Sequence, residues 1–140
     1  MPIIKHGSHM ALPSGGLGEY RKNAVGGASP LQLVVMLYDG ALRCCEAAKK
    51  AMAQADLEAQ HKNLSRAQKI ITELVASLDM AQGGEIAKNL FGLYSYCLNE
   101  LSDANINDDS QPIDRAMKVL AELRQAWQQI GESTGVENAS

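Results

Sequence analysis

Chemistry in this chain would have to start from one histidine. His6 and His9 fall within Met1–Met10, where Gly7-Ser8-His9-Met10 matches a common cloning remnant, so residues 1–10 are set aside as a tag remnant and His61 is left. Glu58-Ala-Gln-His61 has the Glu-x-x-His spacing with which helical bundles hold two metal ions. Such sites need a second pair and two further inward glutamates, and no second pair exists. The match also lies in the first turn of an expected helix, where a solvated glutamate suits the helix dipole. His61-Lys62 has the look of a phosphotransfer histidine, but Leu64 is bulky and no glycine follows. Ser65, Ser77, Ser95 and Ser102 lack a histidine or lysine base in any recognisable arrangement. Gly83-Gly84 has no Lys and no Ser or Thr at phosphate-loop spacing, and it reads as a helix terminator. Cys44, Cys45 and Cys97 are an odd number in no metal-binding spacing and read as buried, reduced thiols of a cytoplasmic protein. The expectation is a chain that is not an enzyme and carries no metal and no cofactor.

The composition narrows the class further. At 140 residues there is room for one domain with a single core. Hydrophobic residues make up 46% of the chain and aromatics 4%, so the core must be built from Leu, Ile, Val, Met and Ala, a palette that suits helices. A net charge of −3 offers no basic field for nucleic acid. The longest apolar run, Leu33 to Tyr38, is far short of the ~20 residues that would cross a bilayer, so membrane insertion is not expected.

Four amphipathic segments account for most of the sequence. The first opens with Ser29 as N-cap, Pro30 at the first helical position and Gln32 completing a capping box. Its apolar residues from Leu31 to Met52 keep helical spacing to about Ala55. Asp56 caps a second helix, in which Leu64, Ala67, Ile71, Leu74 and Leu78 alternate three- and four-residue steps in a coiled-coil-like seam. The third carries Ile86, Leu90, Leu93, Cys97, Leu101 and Ala104 on one stripe. The fourth, capped by Asp109 or Ser110, buries Ile113, Met117, Leu120, Leu123, Trp127 and Ile130 and stops at Gly131. The expected fold is all-α, an antiparallel up-and-down four-helix bundle over residues 28–131. A flexible, Gly-rich N-terminal arm at 11–27 with a Leu17–Tyr20 island precedes it, and a disordered tail at 132–140 follows.

Two helices carry more apolar surface than a narrow seam requires. Leu33, Met36 and Leu37 fall beside the seam of helix 1, and Phe91, Tyr94 and Leu98 make a second stripe on helix 3. Tyr96 shares an outer face with Asn89 and Gly92. Mid-helix Gly40 and Gly92 each cost about 1 kcal/mol against Ala, which close approach of another backbone would explain. One explanation is a wide core face that needs no partner. The other is a groove for an amphipathic helix, with the arm residues Leu17 and Tyr20 as its internal occupant. Three classes of function stay open: a binding module, a phosphotransfer domain using His61, and a structural bundle that dimerises.

The run Ser29-Pro-Leu-Gln-Leu-Val-Val-Met-Leu-Tyr-Asp-Gly-Ala41 resembles the helix 1 signature of the flagellin-specific export chaperones, the FliS family. So do Arg66-Ala-Gln-Lys-Ile-Ile71, Glu73-Leu74 and Leu78-Asp79 on helix 2, and Gly83-Gly-Glu-Ile-Ala-Lys-Asn-Leu90, Leu93-Tyr94 and Tyr96 on helix 3. Leu101-Ser-Asp-Ala-Asn105 and Glu122-Leu-Arg-Gln-Ala-Trp127 continue the pattern, and Tyr20-Arg-Lys-Asn23 is similar to the family's N-terminal tyrosine segment. Gly26-Gly27 departs from it. The resemblance implies a chaperone that binds the disordered C-terminal segment of flagellin, blocks premature polymerisation and delivers the subunit to the flagellar export apparatus. It implies as further partners the cytoplasmic domain of the export gate and other flagellar regulators. On this reading the surplus residues Leu33, Met36, Leu37, Asn89, Phe91, Tyr94, Tyr96 and Leu98 are the candidate client groove.

Overall fold

The structure is a computed structural model that describes residues 27–133, with the side chain of Ser133 excepted. The arm with Leu17 and Tyr20, and the tail beyond 133, lie outside the described residues. Four helices follow one another: α1 (Pro30–Ala53), α2 (Leu57–Ala76), α3 (Gly84–Asn107) and α4 (Gln111–Ser133).

Local chemistry sets most of the boundaries. Ser29 Oγ accepts from the Gln32 N–H at 3.1 Å while the Gln32 side chain accepts from the Ser29 N–H at 2.8 Å, so the capping box of α1 forms in full. α1 ends where Ala55 turns left-handed at φ 56°, and Asp56 then caps α2 by accepting from the Ala59 N–H. Asp108, at φ 51°, ends α3 in the same way. Gly131 does not stop the fourth helix, which continues through it to Ser133. A Cβ built at position 131 would lie 3.0 Å from Leu31 Cδ2, so the glycine lets α1 and α4 close up at this point.

Pairs between helices give the register. From Asp39 to Lys49 along α1, the ion-pair partner moves back along α4 from Arg124 to Asp114. Cys97 Sγ–H donates to the Ala116 carbonyl, and Arg115 pairs with Glu100, which sets α3 antiparallel to α4. Gln60 reaches Asn105 and Asp108, and Gln68 reaches Leu98 and Ser102, which sets α2 antiparallel to α3. Each helix packs on its sequence neighbours, and α4 closes the ring onto α1. This is the up-and-down four-helix bundle expected from the sequence.

The seam of α2 is buried as its spacing implies: Leu64, Ala67, Ile71 and Leu74, with Leu78 just past the helix end. α3 buries four of the six expected stripe positions, Leu90, Cys97, Leu101 and Ala104, and exchanges the other two for their neighbours. Ala87, Leu90, Tyr94, Cys97, Leu101 and Ala104 face inward, while Ile86 and Leu93 are exposed. Tyr94 can take the inner place expected of Leu93 because its hydroxyl finds a partner inside, at Tyr38. Leu33 and Leu37 are also buried, because α1 is wedged between α2 and α4 and needs a wide apolar face.

Candidate docking surface

The starts of α1 and α3 and the ends of α2 and α4 share one end of the bundle. At the opposite end the helices are held by polar groups. Gln60, buried, donates to Asn105 Oδ1 at 3.3 Å and Asp108 Oδ1 at 2.9 Å, and His61 Nδ1 bonds Asn105 beside them. His61 and Glu58 are both exposed, and among the described residues no cluster of three or more potential metal ligands occurs.

The first end is apolar on its surface. A pocket of about 600 Å³ opens between the first turns of α1 and the last turns of α4. Leu31, Val35 and Met36 form one wall, Trp127 and Gly131 the other, and Gln128 stands on the rim. The spacing of Leu31 and Val35 by one turn puts both on the same side of α1. Arg124, one turn before Gln128, donates to its side-chain oxygen at 2.7 Å and pairs with Asp39 across the seam, so charged and polar groups bound the inner side. Exposed Met80, Ile86, Phe91, Leu93 and Ile130 lie at this same end. Leu57 and Ile106 are the exposed large apolar residues at the other.

The floor of the pocket is tied to the core by hydroxyls. Trp127 Nε1–H donates to the Tyr38 hydroxyl at 3.1 Å, and that hydroxyl bonds the Tyr94 hydroxyl. The two tyrosine rings are tilted at 48° with centroids 6.3 Å apart. Burial is the main cause that raises both tyrosine pKa values, Tyr94 to about 12, so the relay stays neutral. Burial likewise pushes the Cys45 and Cys97 thiols up to about 12 and keeps them protonated and unreactive.

The eight residues singled out as a groove do not form one surface. Leu33, Leu37 and Tyr94 belong to the core, so they support the surface from below. Met36 is half-buried in the pocket wall. Phe91 and half-buried Leu98 lie on the flank of α3 that faces α2. Asn89, Gly92 and Tyr96 share the outer face of α3, where a Cβ on Gly92 would meet nothing within 4 Å. Leu31, Val35 and Trp127 keep the helical spacing of the other apolar residues, so spacing alone does not set them apart. The signal that marks them as pocket is the glycine at 131, one turn after the tryptophan.

Four helices around one core leave a largely apolar pocket open along the α1–α4 seam, the architecture of a helical bundle with one accessible groove. The chain belongs to the FliS family: the family model described as "Flagellar protein FliS" matches residues 15–134. It is 39% identical to the flagellar secretion chaperone FliS of Salmonella typhimurium over 84% of this chain and 88% of that protein. To the protein of the same name from Vibrio cholerae it is 37% identical over 83% and 88%, and to that of Bacillus subtilis 32% over 81% and 84%. A crystal structure of a bacterial flagellar chaperone superposes with a TM-score of 0.71, covering 83% of this chain and 94% of that one; at 18% identity this bears on the fold alone.

Proposed function

We propose that this chain is a cytoplasmic export chaperone for flagellin. It binds the disordered C-terminal segment, prevents premature polymerisation and hands the subunit to the flagellar export apparatus. Its further partners are the cytoplasmic domain of the export gate and other flagellar regulators. The role is binding alone, without catalysis and without a cofactor. The observation that carries the reading is the open apolar pocket between α1 and α4, at the end of the bundle that also exposes Met80, Ile86 and Ile130. A disordered segment loses conformational entropy when it orders, and burial of extended apolar surface offsets that loss. Met36 contacts the client in the pocket, while Phe91, Leu98, Asn89 and Tyr96, which do not border the pocket, are proposed as a second and separate contact on α3. Ala28, which lines the pocket, is the next residue after Gly27. The segment carrying Leu17 and Tyr20 therefore joins the bundle beside the pocket and is its proposed occupant when no client is bound.

Seeded flagellin polymerisation tests the reading. Equimolar chain should suppress growth of intact flagellin and should fail to bind flagellin that lacks its C-terminal segment. Equal binding to the truncated subunit would refute the assignment of the client segment.

A further inference from the structure

Trp127 is the sole tryptophan, and it serves two surroundings at once. One side of its ring lines an open pocket, while the residue as a whole is only 7% exposed. A wall that faces open space has no packing partner on that side, so packing alone constrains it less than a core ring. Its buried N–H edge, however, donates to Tyr38, which is fully buried on α1 and bonded in turn to Tyr94 on α3. The three side chains come from three different helices. Two hydrogen bonds thus connect the pocket floor to the centre of the bundle.

We propose that Tyr38, steadied by Tyr94, is a positioning residue that holds the Trp127 indole as a preformed floor for the apolar face of a bound helix. This deepens the client reading above and rests on it. A floor already in place spares the ligand the cost of ordering a large side chain, which is the general advantage of preorganisation. Without the Tyr38 hydroxyl the indole N–H loses its 3.1 Å acceptor and keeps only the Tyr94 hydroxyl beside it, so the ring is held less firmly and can turn its polar edge toward the water of the pocket. Such a turn would change the pocket shape without unfolding the bundle. The position of Tyr38 explains why a phenol stands where a plain aromatic would fill the core as well. The hydroxyl has a task in the pocket.

The test compares Tyr38→Phe with Ile113→Val, a core change on α4 that touches neither the relay nor the pocket. Because Trp127 is the only tryptophan, its emission reports the floor directly. In Tyr38→Phe a fast local component should appear in the time-resolved anisotropy, and affinity for the flagellin C-terminal segment should fall about tenfold. Binding of anilinonaphthalene sulfonate, read by energy transfer from Trp127, should weaken in parallel. Tyr94→Phe leaves the Trp127–Tyr38 bond in place and should give the same signs at about threefold. Ile113→Val should lower the melting temperature and leave anisotropy and both affinities unchanged. If Tyr38→Phe behaves as Ile113→Val does, the inference is overturned. A wild-type chain that binds the sulfonate but no flagellin segment refutes the client reading instead, and the anisotropy still decides whether Tyr38 holds the indole.

Discussion

Leu31 and Gly131 meet across the α1–α4 seam so closely that a methyl group at 131 would stand 3.0 Å from Leu31 Cδ2. The contact is to the tip of a flexible side chain that borders an open pocket, so Leu31 can give way by a few tenths of an ångström. Gly131→Ala should therefore raise stability by about 0.5–1 kcal/mol, the gain in helix propensity. It should also narrow the pocket and weaken client binding. Urea unfolding beside a binding titration separates the two effects; a loss of stability would show that Leu31 is held more firmly than its surroundings suggest.

Leu37 and Phe91 looked alike in the sequence, as surplus apolar residues beside a seam. Leu37 is fully buried and Phe91 is 47% exposed. Leu37→Asn should cost about 3–5 kcal/mol, as a cavity combined with a buried amide. Phe91→Ser should stay within about 1 kcal/mol and act on client affinity instead. Thermal unfolding of the two variants checks the assignment, and comparable melting temperatures would contradict it.

The same comparison shows what the sequence carried and where it ran short. Caps and seam spacing are local properties, and Ser29, Asp56 and the Leu64–Leu78 seam stand where their chemistry places them. The exchange of Leu93 for Tyr94 on the inner face of α3 is not local. Leu93 and Tyr94 are neighbours, and a hydropathy pattern prefers the leucine inside. Tyr94 goes inside because a hydroxyl on α1 is there to meet it, which no reading of α3 alone contains. The pocket was hidden for a related reason. Leu31, Val35 and Trp127 have core-like spacing, and nothing in that spacing tells that a pocket opens beside the close approach of Gly131 to Leu31.

Alkaline pH should destabilise the fold through buried acids. The unfolded thiols ionise near their ordinary value of 9.0, while Cys45 and Cys97 stay protonated in the fold up to about 12. Tyr94 behaves likewise between its ordinary 10.0 and about 12, and Tyr38 is raised in the same direction. Stability is thus fully present below about pH 9 and is lost as pH rises toward 12, by up to ~1.4 kcal/mol per pH unit for each group. Urea midpoints measured between about pH 8 and about pH 11 should fall steadily, with a shallower fall in Cys97→Ala. A flat profile would show that these groups ionise in the folded state as freely as in the unfolded chain.

In the proposed complex the apolar end of the bundle, through the α1–α4 pocket, holds the flagellin C-terminal segment. Calorimetric titration of the full chain with that segment tests it most directly, using wild type, Val35→Asp in the pocket wall and Ile106→Lys at the polar end. Wild type and Ile106→Lys should bind one segment per chain with equal affinity. Val35→Asp should bind at least about tenfold more weakly while its melting temperature stays close to wild type. Unchanged affinity in Val35→Asp, or an equal loss in Ile106→Lys, would contradict the account.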